Sequence, residues 1–192
     1  MGTVRRRGAE LETAILEATL EELAEHGYGA LTFDGVAARA GTSKPVLYRR
    51  WPSRSALAFA AVRQVATSIP TPSTGSLAGD LHGVLDEMGD RMPSVLSRAS
   101  LLGLLSDLTV EEATALPVLM ADAVSRILQP VVEAAVARGE LGPDPLGSEL
   151  LAVPLDLARH DILLHGGLPR PRRDRIVDLV TVPLWRAASG AE

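Results

Sequence analysis

The strongest constraint on the fold lies in residues 32–57, TFDGVAARAGTSKPVLYRRWPSRSAL, where two short helical patterns flank a glycine. Thr32 is placed to cap a helix over residues 32–40, because its hydroxyl can accept a hydrogen bond from the first turn. Gly41 should end that helix, since glycine adopts the left-handed backbone conformation at no steric cost. The apolar residues of this helix recur at helical spacing and should face the interior: Phe33, Val36, Ala37 and Ala40.

A second helix is predicted over residues 44–51, with Ser43 as its N-cap. Pro45 is tolerated in the first turn, where backbone N–H groups lack intrahelical partners. At roughly 100° per residue, Leu47 and Trp51 lie within about 40° of each other and should anchor the helix to the core. Two short helices joined by a tight turn are typical of a helix-turn-helix that binds DNA.

The outer face of this second helix is predicted to lack acidic residues. No carboxylate occurs between Asp34 and the end of the helix, whereas a solvated helix on an acidic protein usually carries both signs of charge. An acid-free surface with several cations and a phenol suits a polyanion. We therefore expect DNA contacts from Thr32, Thr42, Ser43, Lys44, Pro45, Val46, Tyr48, Arg49, Arg50 and Arg54.

These expected contacts differ in kind. The helical positions direct Arg49 at base edges, where its guanidinium matches guanine O6 and N7, while Pro45 and Val46 can touch a thymine methyl. Phosphate contacts are expected from the flanks and the helix starts, at Lys44, Tyr48, Arg50, Thr32 and Arg54.

The N-terminal region resembles the TetR family of bacterial one-component transcriptional regulators over about residues 9–58. The matching residues are Ile15, Ala18, Gly27, Thr32, Val36, Ala37, Ala40, Gly41, Ser43, Lys44, Leu47, Tyr48, Trp51, Ser53 and Leu57. The residues that depart from the family pattern are Gly35, Pro45, Arg50 and Arg54. The resemblance implies an all-α fold, with a three-helix DNA-binding head over residues 1–52 and a helical effector-binding and dimerisation domain over residues 53–192. It also implies a homodimeric repressor that a small-molecule effector releases from a near-palindromic DNA operator.

The net charge of −5 is unevenly distributed. Residues 1–55 hold eight basic against seven acidic residues, and all but one of those acids fall in a predicted first helix over residues 9–26. A basic tail over about residues 1–8 is expected to be disordered. For its arginines, Arg5, Arg6 and Arg7, a solvated arm and a phosphate or minor-groove contact are equally open.

The composition indicates a cytoplasmic protein. The absence of cysteine excludes disulfides and thiolate metal sites and suits a reducing compartment. Glutamates follow the N-terminal arginines where a secretory signal would require an apolar stretch. No run of about 18 apolar residues occurs, so we expect no membrane span.

Helical patterns continue to the C-terminus, and no hairpin signal interrupts them. Helices are expected over residues 53–68, 77–91, 94–108, 113–138, 144–165 and 171–188, with a loop at residues 70–75. Pro93 should mark a break. Four further prolines are expected to kink or split helices: Pro117, Pro130, Pro154 and Pro183.

The last two predicted helices carry more apolar surface than one core requires, which predicts a dimer interface. The interface residues expected are Leu150, Val153, Leu157, Ile176, Val180 and Leu184. A second set could line an effector cavity, although methionine and leucine at helical spacing also suit an ordinary core. That set is Met88, Met92, Leu102, Leu105, Met120, Asp156 and His160.

The histidines of the predicted helix 144–165 offer little catalytic chemistry. Asp156 with His160, and Asp161 with His165, are spaced for capping, ion pairs or an effector contact. The two histidines lie about 140° apart around the helix, so neither a metal nor a cofactor is expected. The alternative to a DNA-binding regulator is an all-helical small-molecule-binding or enzymatic protein in which the basic charge of the head is incidental.

Overall fold

The computed structural model describes residues 8–95 and 97–190, except for the side chains of residues 66, 67 and 93–95. Every element in these ranges is helical, which confirms the all-α prediction. The helices are α1 (Ala9–His26), α2 (Phe33–Ala40), α3 (Lys44–Tyr48), α4 (Arg54–Thr67), α5 (Leu77–Val95), α6 (Arg98–Ser106), α7 (Val110–Ala137), α8 (Ser148–His165), α9 (Arg170–Asp174) and α10 (Val182–Ala188), with a 3₁₀ turn at Tyr28–Ala30 and a π-helical segment at Arg175–Thr181. The predicted basic tail lies outside the described residues, except for Gly8.

The chain forms two compact units. The first unit combines Met1–Gln64 with Ser94–Glu112, so it contains α1 to α3, most of α4, α6 and the first turn of α7. The second unit combines Val65–Pro93 with Ala113–Glu192. Each unit has its own apolar core.

The core of the first unit lies where α1, α2 and α3 converge. Ile15, Val36 and Leu47 are fully enclosed, one from each helix. Trp51 and Leu57 complete the core from the segment after α3 and from α4. Because full burial of such side chains contributes about 1.5–3 kcal/mol each, these contacts hold the three-helix head together.

Helix α2 begins at the predicted cap. The Oγ1 atom of Thr32 accepts a hydrogen bond from the Gly35 N–H at 3.1 Å. A Cβ at Gly35 would lie 3.1 Å from Glu22 Oε2 and 3.2 Å from Thr32 Oγ1. The glycine therefore leaves room for both side chains, at a cost in helix propensity of about 1 kcal/mol relative to alanine.

The turn between α2 and α3 is a Schellman motif. Gly41 has φ 65° and ψ 37°, which is the left-handed conformation. Its N–H donates to the Ala38 carbonyl at 3.3 Å, and the Thr42 N–H donates to the Ala37 carbonyl at 2.9 Å. Both carbonyls at the end of α2 are thus satisfied, and the predicted role of Gly41 is confirmed.

Helix α3 is shorter than predicted. It ends at Tyr48 instead of residue 51. The reason is that Trp51 precedes Pro52, and a proline ring disfavours helical backbone in the residue before it. Ser43 occupies the N-cap position, but its side chain makes no capping hydrogen bond.

The core of the second unit is formed by α5, α7, α8 and the C-terminal helices. Trp185 is fully buried and donates its Nε1–H to the Leu150 carbonyl at 2.8 Å. Four apolar residues of α8 at helical spacing face this core and are all buried: Leu151, Leu155, Ala158 and Ile162.

Helix α5 continues beyond the break expected at Pro93 and ends at Val95. A proline removes one helical hydrogen bond, and near the end of a helix this loss does not require the helix to stop at that residue. Helix α8 begins four residues later than predicted, after Gly147, which has an extended backbone.

Side-chain caps determine where α6 and α7 begin. Ser97 accepts a hydrogen bond from the Ser100 N–H at 3.1 Å, so α6 starts later than residue 94. Thr109 accepts one from the Glu112 N–H at 3.1 Å, so α7 starts earlier than residue 113.

The last predicted helix is divided into α9, the π-helical segment and α10. Pro183 lies in the first turn of α10 and cannot donate to the carbonyl four residues earlier. The residues before it, Arg175–Thr181, form a π-helix, which has more residues per turn than an α-helix. There Thr181 Oγ1 donates to the Ile176 carbonyl at 2.8 Å. Pro183 therefore splits the helix as predicted, whereas three prolines lie inside continuous helices: Pro117, Pro130 and Pro154.

Helix α7 is long and apolar enough to cross a membrane, with a mean hydropathy of 1.4 over its most apolar window. Its inward-facing residues between Ala123 and Ala135 pack in the core of the second unit. Core packing therefore accounts for the apolar residues on the inner face of α7, whereas Val110 and Val118 are exposed.

Replacing Gly41 with alanine tests the turn between α2 and α3. Gly41→Ala should lower the free energy of unfolding by about 1–2 kcal/mol, because an L side chain is disfavoured in the left-handed conformation. Gly41→Asn should cost less, since asparagine adopts this conformation more readily. Urea denaturation followed by circular dichroism gives the values. Gly29→Ala is the matched control, because its Cβ meets open space on a backbone that is not left-handed; equal stability of both alanine variants would contradict the motif.

Candidate nucleic-acid interface

The outer surface of α3 is set by the two residues beneath it. Leu47 is fully buried and Trp51 is 8% exposed, so both predicted anchors face the core. Pro45, Tyr48 and Arg49 are exposed. The other residues predicted to contact DNA in this region are exposed or half-buried: Thr32, Thr42, Ser43, Lys44, Val46 and Arg50.

Tyr48 is held in place by a ring contact with α2. Its ring stacks on Phe33 with the centroids 4.3 Å apart and the planes 14° from parallel. Phe33 is buried, whereas Tyr48 is half-exposed. The stacking fixes the orientation of this half-exposed ring on the α2–α3 surface.

Two cations of α3 and its C-terminal turn are paired with carboxylates. Lys44 Nζ lies 2.7 Å from Asp34 Oδ2, and this hydrogen bond raises the pKa of Lys44. Arg50 is paired with Glu12 of α1. The second pair was not predicted, because 38 residues separate its partners. Both pairs are solvent-exposed, and such pairs contribute little to stability, so phosphate oxygens can replace the carboxylates.

Arg49 differs from these two cations. Its guanidinium forms no ion pair within residues 8–95 and 97–190, and the residue is exposed directly after α3. A guanidinium is a planar fork of five N–H donors that matches the two acceptors on a guanine edge. Arg49 is therefore available for a base contact without first giving up a protein partner.

A third cation, Arg39, ties α2 to α1. Its guanidinium contacts three carboxylates of α1: Glu25 at 2.5 Å, Glu22 at 2.9 Å and Glu21 at 3.1 Å. Hydrogen bonds from these glutamates raise the pKa of Arg39, and Arg39 in turn lowers that of Glu25. Half of the six glutamates of α1 thus tie α2 to α1 through Arg39, a role that sequence reasoning missed.

Arg54, a predicted phosphate contact, lies within the first unit. Its guanidinium stands 4.5 Å from the centroid of the Tyr28 ring and 3.0 Å from Asp107 Oδ2. The Tyr28 hydroxyl donates to the same Asp107 oxygen at 2.6 Å. Burial and this hydrogen bond raise the pKa of Tyr28 to about 12, and the donors lower the pKa of Asp107. The three residues border a cavity of about 610 Å³.

Glu112, which sequence reasoning also missed, joins the first turns of α4 and α7. Its carboxylate accepts hydrogen bonds from Ser53 Oγ at 2.6 Å, Ser55 Oγ at 3.0 Å and the Thr109 N–H at 2.8 Å. Burial raises the pKa of Glu112, but these hydrogen bonds lower it by more. Thr109 and Glu112 form a capping box, which is a pattern visible in the sequence.

The residues predicted to bind an effector are divided between the units. Met120 and Asp156 lie together on the wall of a cavity of about 260 Å³ between α7 and α8. Met88 is buried in the core of the second unit and Met92 packs against it. Leu102 and Leu105 are exposed on α6 in the first unit.

The predicted pairing of α8 histidines holds for one pair. His165 Nε2 lies 3.7 Å from Asp161 Oδ1. Asp156 instead contacts Arg159, and the exposed His160 meets the His165 ring edge-on, with the centroids 6.0 Å apart. Within the described part of the chain, no three histidine, aspartate or glutamate side chains are grouped to hold a metal.

One predicted dimer residue is placed in the core. Ile176 is fully buried inside the second unit, so it has no surface to offer a partner subunit. The sequence stripe assumed regular α-helical spacing, which the π-helical segment alters. The other predicted residues are half-buried: Leu150, Val153, Leu157, Val180 and Leu184. Leu179, which was not predicted, is 72% exposed.

The three helices of the head join through a glycine turn, and α3 combines a buried pair of anchors with a cationic outer face. This arrangement defines a helix-turn-helix DNA-binding protein. Comparison with known proteins specifies the family. The family model of bacterial regulatory proteins of the tetR family matches residues 15–61, and that of the tetracyclin repressor-like C-terminal domain matches residues 71–181. The chain belongs to the TetR family and is a DNA-binding transcriptional regulator.

Relatives match along most of the chain. An HTH-type transcriptional regulator of Mycobacterium tuberculosis is 33% identical over 93% of this chain and 90% of its own length. A DNA-binding transcriptional repressor TetR of Mycobacteroides abscessus is 30% identical over 94% of this chain and 96% of its own. The crystal structure of a TetR family transcription regulator superposes with a TM-score of 0.70 at 26% identity, over 90% of this chain and 97% of that one.

Proposed function

We propose that this regulator is a cytoplasmic homodimeric repressor, released from a near-palindromic operator by a small-molecule effector. The head, residues 1–52, would bind DNA, and residues 53–192 would bind the effector and the second subunit. The observation that carries the DNA-binding assignment is the exposed Arg49 guanidinium, which has no ion-pair partner in the described residues, on the face opposite Leu47 and Trp51. Repression is supported by the related DNA-binding transcriptional repressor of Mycobacteroides abscessus.

The proposed contacts follow from position on α3. With α3 in a major groove, Arg49 would bond guanine O6 and N7, and Pro45 and Val46 would touch thymine methyl groups. Phosphate contacts would come from the start of α2, the turn and the flanks of α3: Thr32, Thr42, Ser43, Lys44, Tyr48 and Arg50. Arg54 would have to leave Asp107 to reach a phosphate, so its contact is the least favoured of the set.

Two arginine variants test this assignment. Arg49→Ala should weaken operator binding by about 1–3 kcal/mol and relax the preference at one position per half-site. Arg50→Ala should weaken binding to all sequences and reduce the slope of log K against log salt by about one. Binding is measured by fluorescence anisotropy on the duplex enriched from a random pool by the wild-type chain and on a scrambled duplex. The assignment fails if Arg49→Ala lowers both affinities equally or changes neither.

The dimer proposal rests on apolar surface left uncovered on the C-terminal helices. Leu179 is exposed on the π-helical segment, and Val153 and Leu157 of α8 are only half-buried within the second unit. Pairing these helices with those of a second copy would bury both surfaces in a four-helix bundle. Two heads would then face half-sites about one DNA turn, or a multiple of it, apart.

Light scattering tests the dimer. At micromolar concentration the wild-type chain should have twice its mass of 20.3 kDa. Val153→Arg and Leu179→Arg should shift the mass toward the monomer, because each would bury a charge in the apolar interface. Val118→Arg is the control, since Val118 is equally exposed but lies on α7, outside the proposed interface. A monomeric wild-type chain, or dimers that persist in both interface variants, would contradict the proposal.

The effector site is proposed in the cavity of about 260 Å³ between α7 and α8. Its floor is apolar, with Val124 and Leu151, while Asp156 and Arg159 supply polar groups at the wall. An apolar body with a few oriented polar contacts is the usual composition of a small-molecule site.

Filling the cavity tests this assignment. A small-molecule library is screened by thermal shift for compounds that stabilise the wild-type chain and release its DNA. Ala121→Trp, which places an indole at the cavity wall, should abolish both effects of such compounds. Ala115→Trp on the same helix is the control, because Ala115 is exposed and does not line the cavity. A compound that releases DNA equally well from both variants would place the effector elsewhere.

A further inference from the structure

We propose that Glu112 and Asp107 are positioning residues for DNA recognition. These two carboxylates, called here the carboxylate clamp, fix the first turn of α4 and with it the C-terminal end of α3. They touch no DNA in this scheme. The inference rests on the proposed base contact by Arg49, and it concerns the first unit alone.

The Glu112 half of the clamp holds α4 by its cap. Ser53 is the N-cap of α4, because its Oγ accepts a hydrogen bond from the Ala56 N–H at 2.9 Å. The same hydroxyl donates to Glu112 at 2.6 Å, and the buried Ser55 donates to the second carboxylate oxygen at 3.0 Å. One carboxylate therefore binds two hydroxyls of a single helical turn.

The Asp107 half holds the residue between those serines. The Arg54 guanidinium forms an ion pair with the Asp107 carboxylate at 3.0 Å and lies over the face of the Tyr28 ring. Tyr28 is in turn bonded to Asp107 through its hydroxyl and to Ser100 through its N–H at 3.0 Å. Three consecutive residues, the N-cap of α4 and the first two residues of the helix, are thus bound by side chains from outside α4.

A short and stiff connection links this turn to α3. Only Pro52 separates the core residue Trp51 from the cap Ser53. Proline fixes one backbone dihedral of its own and restricts the residue before it. Because this linker is stiff, the position of Ser53 restricts how Trp51 can sit in the core. A displacement of Ser53 would disturb the seating of Trp51 and, with it, Arg49 and Arg50, the two residues before it.

Base contacts and phosphate contacts respond differently to such a displacement. A bidentate bond to guanine needs two aligned N–H donors, and each good pair contributes roughly ten- to hundredfold discrimination between bases. Phosphate attraction is less directional, and its strength is set by counterion release. Loosening the clamp should therefore reduce specific binding while leaving non-specific binding and its salt dependence intact.

Glu112→Ala is the decisive variant, measured on the full chain with the enriched and scrambled duplexes described above. It should lower affinity for the enriched duplex by about tenfold, part of the discrimination that one bidentate contact supplies. Affinity for the scrambled duplex should stay within about twofold, with an unchanged salt slope. Glu112→Gln keeps one oxygen acceptor and should restore part of the loss. Glu111→Ala, which removes the same charge from the neighbouring exposed residue, should behave as wild type.

Ser55→Ala is the second variant, used also where Glu112→Ala does not fold. It removes one donor to the clamp and should lower specific binding by a smaller factor; in the double variant the two losses should not add, since the residues share one contact. Equal losses on both duplexes, a changed salt slope or a matching loss in Glu111→Ala would overturn the inference. If Arg49→Ala loses discrimination between the two duplexes and Glu112→Ala does not, the proposed role of the carboxylate clamp is wrong, while the base contact by Arg49 stands. A wild-type chain that enriches no sequence would overturn both proposals.

Discussion

The seating of Leu47 and Trp51 in the core of the head is the contact on which the DNA-binding surface depends. A five-residue helix such as α3 does not persist alone in water, because one or two hydrogen bonds cannot offset the cost of nucleation. Its conformation is stabilised instead by burial of one face against α1 and α2, and its direction is set by the left-handed turn at Gly41. Once that face is buried, the opposite side must point outward.

The electrostatics of the head divide between structure and recognition. Arg39, surrounded by three glutamates of α1, is a structural cation that fastens two helices. Lys44 and Arg50 each have a single exposed carboxylate partner, and a DNA phosphate can take the place of that carboxylate. Arg49 has none among the described residues. The overall charge of −5 is therefore compatible with DNA binding, since much of the acidic charge in the head is taken up by Arg39.

Polar contacts beyond α3 extend this scheme. Tyr28, Arg54 and Asp107 form one connected group, and Glu112 binds the serines on either side of Arg54. Arg54 looked like a phosphate ligand because it is a cation at a helix start. It lies instead between an aromatic ring and a carboxylate. In the proposed clamp, these contacts hold the start of α4 in position for DNA recognition.

The sequence by itself determined the features that depend on local interactions. These are the all-α fold, the Thr32 cap, the Gly41 stop, the buried faces of α2 and α3 and the split at Pro183, because each follows from residues within one or two helical turns. Signals that were present but overlooked, Pro52 after α3 and the Thr109–Glu112 capping box, are local as well. Only the tertiary structure decided which carboxylate meets which cation, as for Glu12 and Arg50, and that Ile176 turns into the core. Such pairings depend on how helices pack, and helical periodicity gives the face of a helix without identifying what lies opposite.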